Sequence, residues 1–156
     1  MFTLIKKIYL FLITLGTLIQ PFLLLAIRLF WGWRFFQSGL EKFSNIGHVI
    51  EFFQSLSIPF PTINAYIAAS IELIGGVSLM LGLASRLASI PLMIVMIVAM
   101  ATAHHDALLN VFQNPEEFTQ QSPFIYFLVV LIVFAFGPGA FSLDALLKRY
   151  VFKKGP

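Results

Sequence analysis

The chain contains no cysteine, so it forms no disulfide, holds no iron–sulfur cluster through thiolates and performs no thiol–disulfide exchange of its own. Charge is nearly as scarce: Asp, Glu, Lys and Arg make up 11% of the residues, well below the level of a soluble domain. The net charge of +3 forms no basic groove interleaved with aromatics, which argues against a nucleic-acid partner. No P-loop or dinucleotide fingerprint follows a strand, and Gly137-Pro138-Gly139 is a turn, not a phosphate cradle. Histidine is limited to His48, His104 and His105. Adjacent His104 and His105 project about 100° apart on a regular helix, a poor inventory for a metal or haem centre.

What is abundant is apolar surface. Of 156 residues, 59% are hydrophobic and 18 are Phe, and the mean hydropathy is +0.91. A surface facing lipid must be as apolar as a packed interior, so the composition identifies an integral membrane protein of single-domain size. The expected fold is an all-α integral membrane four-helix bundle with short interfacial helices, one domain over residues 1–156. Its spans are expected near residues 21–40, 62–83, 87–105 and 118–137.

Lys6 and Lys7 followed by an apolar run imitate a signal peptide, but Gln20-Pro21 stands where a small-residue cleavage site belongs. The segment is therefore expected to be retained. From Ile8 to Gly39 the apolar character barely breaks, and as one helix this is about 48 Å, more than a bilayer core of roughly 30 Å requires. Proline removes a backbone donor and disfavours helix before it, so Pro21 is the natural boundary between an interfacial segment and the first span. The rival is one long, kinked helix.

Between the first two spans, Ile46, Val49, Ile50, Phe53 and Leu56 recur at helical spacing opposite Glu51 and Gln54, which predicts a short amphipathic helix on the membrane. Asn114-Pro115-Glu116-Glu117 reads as a capped helix start before the last span. Ser142 caps a final short helix with Asp144 in its first turn, at its N-terminus and within reach of Arg86.

Lys6, Lys7, Arg86, Lys148, Arg149, Lys153 and Lys154 flank the spans on one side, against Lys42 on the other. The asymmetry predicts cytoplasmic N and C termini and a multi-pass protein of the cytoplasmic (inner) membrane.

One carboxylate, Glu72, lies mid-span in the second apolar run. It shares a stripe with Ala65, Ala68, Ala69 and Gly76, so it faces neighbouring helices, not lipid. An acid at that depth is paired or functional. Arg28, Gly32, Phe35, Gly39 and Lys42 form a matching stripe on the first span, with Arg34, Ser38 and Glu41 on the adjoining flank. Counting from the outer ends, Arg28 and Arg34 bracket Glu72. A guanidinium, always charged and able to fork hydrogen bonds, is the expected partner. Arg86 and His104 lie five turns apart on one face of the third span, and His104 is the candidate for proton transfer or hydrogen bonding. Trp31 and Trp33 fall at no clear interface in this register: either they line a pocket between helices, or the outer boundary of the first span is set too far along.

These residues resemble the DoxX family of small four-helix membrane proteins. The similarity rests on Arg28, Gly32, Gly39 and Lys42, on Glu72-Leu-Ile-Gly-Gly, on Leu81-Gly82-Leu83 and Arg86, on Ala103-His104, and on Gly137-Pro-Gly-Ala-Phe-Ser-Leu-Asp144. It covers about residues 22 to 147, while the first twenty are longer and more apolar than the family pattern. Some members of that family are membrane subunits of quinone-linked oxidoreductases, such as the thiosulfate:quinone enzyme, or assemble with redox and detoxification partners. The resemblance implies a membrane oxidoreductase subunit without its own redox cofactor, next to a quinone or small organic substrate, with a protein partner or a second copy. Glu72, Arg28 and His104 are the candidate catalytic residues, and Arg34, Trp31 and Lys42 the candidate binding residues. The alternative is a non-catalytic membrane scaffold or small-solute carrier whose Arg/Glu cluster is structural.

Overall fold

A computed structural model describes residues 2–150, and side-chain surroundings from residue 4 onward. Among these residues the regular structure is entirely helical: α1 (Phe2–Ser44), α2 (Ile46–Ser55), α3 (Pro61–Leu81), α4 (Ser85–Ala103), α5 (His105–Leu109), α6 (Pro115–Gln120), α7 (Ser122–Phe136) and α8 (Leu143–Tyr150). Three of them, α1, α3 and α4, are long and apolar enough to cross a membrane, while apolar α7 is 15 residues long. The all-α membrane architecture expected from composition is thus the one observed.

The boundary expected at Pro21 is absent: α1 runs unbroken for 43 residues with Pro21 inside it. One missing donor and a ring clash cost about 3 kcal/mol. Apart from Gln20 the flanking residues are Leu, Ile and Phe, without a turn-forming Gly, Asn, Asp or Ser, so breaking the helix would strand more backbone groups than proline does. At ~1.5 Å per residue α1 is about 64 Å long. Only the part beyond Pro21 packs against the bundle, and residues 4–20 are exposed on every face.

Glycine sets how α1 and α3 meet. A Cβ on Gly39 would lie 2.5 Å from Leu73 N, and one on Gly76 would lie 2.5 Å from Phe36 N. Only hydrogen fits at these crossings, so the two backbones touch, as small-residue interfaces in membranes allow. Gly32 against Gly76 and Met80, and Gly39 against Ala69 and Leu73, make the pair antiparallel.

Gly82, at φ 66°, ends α3, and a short turn reverses the chain into α4. Gly75 receives the Leu92 side chain, locking α4 against α3. The core sits where α1, α3, α4 and α7 converge, on Phe35, Leu79, Leu92, Met96, Val130 and Val133. Tyr126 of α7 closes it, edge-on to Phe35 at 4.8 Å between ring centroids.

The connections differ in detail from the sequence expectation. α4 stops at Ala103 and His104 is its cap residue, at φ −126°, so the helix breaks between the two histidines. The last apolar run is split: α6 starts at the predicted Asn114 cap, whose side chain accepts from Glu117 N, and extended Gln121 separates it from α7. Ser142 caps α8 by accepting from Ala145 N at 3.1 Å. α2 and α8 mark the two ends of the bundle.

Candidate functional site

At the α2 end, α1, α2, α3, α4 and the start of α7 line a partly open cavity of about 640 Å³. Its walls are mostly aliphatic and aromatic. Val49, Phe52, Phe53 and Leu56 from the apolar face of α2 form its cover. Polar groups enter from four helices: Ser38 and Lys42 of α1, Asn64 and Glu72 of α3, Thr102 and the cap residue His104 of α4, and Ser122 and Tyr126 of α7.

Glu72 is buried at 3% exposure, on the small-residue face of α3 as its stripe predicted. Its partner is Lys42, not an arginine: Lys42 Nζ lies 2.5 Å from Glu72 Oε2 and also 2.8 Å from Ser38 Oγ. The glycine crossings explain the pairing. They place Gly39 beside Ala69 and Leu73, which leaves the Lys42 backbone about a turn nearer the α2 end than Glu72. Helical side chains lean toward their own N-terminus. On antiparallel helices that lean sends Lys42 inward and Glu72 outward until they meet. Counting from helix ends missed this because α1 continues to Ser44, beyond the expected end near Leu40.

Arg28 is at the opposite end of the bundle. Its Nη2 donates to Phe141 O at 2.5 Å, and its guanidinium fills the space over Gly82 that a Cβ would claim. Gly82 is ten residues from Glu72, about 15 Å along α3, so the proposed Arg28–Glu72 pairing does not form. Arg28 is only 1% exposed, and its Nε and Nη1 have no hydrogen-bond partner among the described residues. Asp144 is the acid whose charge reaches it. Asp144 in turn accepts from Ala84 N at 2.7 Å and Ser85 N at 3.2 Å. It therefore caps α4, not its own helix. Arg86 does not pair with it either, and donates to Ala135 O at 3.2 Å.

His104 joins Glu72 on the cavity wall, but at another depth. It stands at the end of α4, while Glu72 is eleven residues into α3, about 16 Å from that helix's start. Arg34 and Trp31 are elsewhere, in a groove between α1 and α7 shared with Trp33, Gln37 and Tyr126. The proposed constellation is thus divided: Glu72, Lys42 and His104 share one cavity, Arg28 belongs to the α8-end clamp, and Arg34 with Trp31 faces outward. Ser38 was noted only as a flank residue, and Tyr126 and the cover formed by α2 were missed. The i, i+4 spacing of Ser38 and Lys42 was the available signal for the first.

An antiparallel helical bundle with an ion pair enclosed between its first two long helices defines a multi-pass membrane protein. The sequence profile named DoxX matches residues 23–105, and the chain belongs to that family. A Haemophilus influenzae protein named "Uncharacterized protein" is 35% identical over 130 residues, 81% of this chain and 83% of its own length. A Bacillus subtilis protein named "Putative oxidoreductase CatD" is 40% identical over 78 residues, half of this chain and 57% of the relative. No solved structure matches.

Proposed function

We propose that this chain is the membrane subunit of a quinone-linked oxidoreductase or redox and detoxification complex, with a protein partner supplying the electrons. Its site is the α2-end cavity. The observation that carries this is one void of about 640 Å³ that is apolar over most of its wall and polar at Lys42, Glu72, Ser38 and His104. That is the form of a site for a lipophilic molecule with a small polar head.

The residues suit a quinone and its reduced form. The Lys42 ammonium and Ser38 hydroxyl are donors for a carbonyl oxygen, and the Glu72 carboxylate accepts from a hydroxyl. A quinone or quinol exchanges electrons with the partner. The chain's own residues bind its head, exclude water and hold a proton at Glu72 Oε2 or on Lys42 Nζ. His104, near the cover, is placed to pass protons toward the aqueous side. Arg28 is a positioning residue that fixes the helix ends. The oxidoreductase name of one relative supports the class of reaction.

By the excess of basic residues beside it, the α8 end faces the cytoplasm in an inner membrane. Four crossings, by α1, α3, α4 and the α6–α7 pair, then place both termini inside.

A second reading has one observation in its favour. The Lys42–Glu72 pair is already closed at 2.5 Å, as in a scaffold or small-solute carrier whose charges only hold helices together. Extraction of lipids from the gently purified full chain, followed by mass spectrometry, separates the two. Quinone should co-purify in near-stoichiometric amount and be lost from Glu72→Gln and Ser38→Ala variants that remain folded. Folded wild-type protein with no quinone above the bulk-lipid ratio overturns the proposal.

A further inference from the structure

The groove between α1 and α7 shares Ser122 and Tyr126 with that cavity but none of its charged residues, and holds about 460 Å³. Its lining residues Phe30 and Trp33 are exposed on the outside of the bundle. Arg34 is on it, exposed, and no acid or hydrogen-bond acceptor among the described residues meets it. The other cations in the packed part of the long helices are engaged: Lys42 with Glu72, Arg28 with Phe141 O, Arg86 with Ala135 O. Arg34 lies six residues beyond Arg28, about 9 Å along α1 from the charged α8 end. An arginine leaning toward its N-terminus from that position carries its guanidinium toward the α8 end.

The chain's two tryptophans, Trp31 and Trp33, flank it in the groove, and indoles favour membrane interfaces. From there the groove runs along Ile125 and Tyr126 to Gln37 and Ser122, toward the α2 end. We propose that it binds an anionic phospholipid of the α8-side leaflet, the phosphate on Arg34 between the indoles and one acyl chain along the groove. Charge complementarity selects this occupant. A guanidinium forks onto a phosphate, and the exposed cations of that end, Lys148 and Arg149 included, enrich anionic lipid nearby. A second copy of the chain does not supply the missing charge. A two-fold axis along the membrane normal preserves depth, and the nearest exposed acid on α1, Glu41, is seven residues or about 10 Å farther out.

Because both indoles line the groove, quenching of intrinsic fluorescence by dibrominated lipids reports its occupancy. The full chain is placed in nanodiscs of phosphatidylcholine with increasing brominated phosphatidylglycerol, brominated phosphatidylcholine or brominated stearate. Phosphatidylglycerol should be preferred over phosphatidylcholine by about fivefold at the indoles, the effect of one well-placed cation. In Arg34→Gln, checked for an unchanged melt, the ratio should fall to about one. Equal quenching by the two phospholipids in wild type overturns the proposal, as does a preference that survives in Arg34→Gln. Stearate outcompeting phosphatidylglycerol overturns the phospholipid assignment. Indoles shielded from every lipid overturn it too, since a protein then covers the groove.

Discussion

Lys42 and Glu72 form an ion pair of 2.5 Å between α1 and α3, and its two ends are unequally sheltered: the lysine side chain is 26% exposed and the carboxylate 4%. The pair bounds the cavity, so the charges serve helix packing and ligand contact together.

The asymmetry predicts unequal mutational costs. Lys42→Met abandons a nearly buried carboxylate and should destabilise the bundle by about 3–5 kcal/mol. Glu72→Gln leaves an ammonium that reaches the cavity and Ser38, and should cost about 1 kcal/mol or less. The double variant should recover most of the loss, which denaturant melts of the four proteins in one lipid would show as a coupling energy of 2 kcal/mol or more. Additive losses would mean that the pair contributes nothing beyond its separate side chains.

The glycine crossings give a second test. Gly39→Ala and Gly76→Ala each push a methyl into backbone of the facing helix, which cannot yield as a side chain does, so each should cost about 1–3 kcal/mol. Gly75→Ala meets the Leu92 side chain instead and should cost less. Gly16, with nothing within 4 Å, is the control: Gly16→Ala should leave the bundle melt unchanged. Thermal melts of the four variants rank these effects.

Much of this was legible because lipid and tight packing impose simple rules. Apolar run length gave the helices, the stripe of Ala65, Ala69 and Gly76 gave the buried face of Glu72, and the Asn114 and Ser142 caps fell where capping chemistry puts them. What was not legible depended on relative register. Whether Arg28 or Lys42 reaches Glu72 is decided by where Gly39 crosses α3, a contact between helices some thirty residues apart in sequence. Pro21 misled because proline's local cost is fixed, whereas the cost of the alternative break depends on every donor around it. Asp144 was assigned to its own helix because sequence shows only near neighbours, and the turn at Gly82 that brings α4 to it is a tertiary feature.

The bare start of α1 yields a third prediction. Since residues 4–20 are exposed throughout, deleting residues 4–19 should shift the bundle's melting temperature by no more than about 2 °C, the effect of losing about 1 kcal/mol or less in a chain of this size. A large drop would mean that this stretch packs back on the bundle in lipid. Circular dichroism melts of the two forms in the same nanodiscs decide it.

The α8-end clamp supports the fourth. Ala84 has φ 47°, a left-handed conformation strained for alanine, and is held by the bond of its amide to Asp144. Asp144→Ala removes two capping acceptors from α4 and the acid nearest buried Arg28, so about 2–4 kcal/mol should be lost. Ala84→Gly, relaxing the same turn, should stabilise the wild type by about 1 kcal/mol and restore part of the loss in Asp144→Ala. Arg28→Lys should not substitute for the wild type, because an ammonium lacks the planar reach to Phe141 O from over Gly82. None of these variants touches the Lys42–Glu72 cavity, about 15 Å away along α3. Ligand affinity at the α2 end, measured on the fraction that remains folded, should therefore be unchanged while the melts differ. A parallel loss of affinity would show that the two ends of the bundle are coupled.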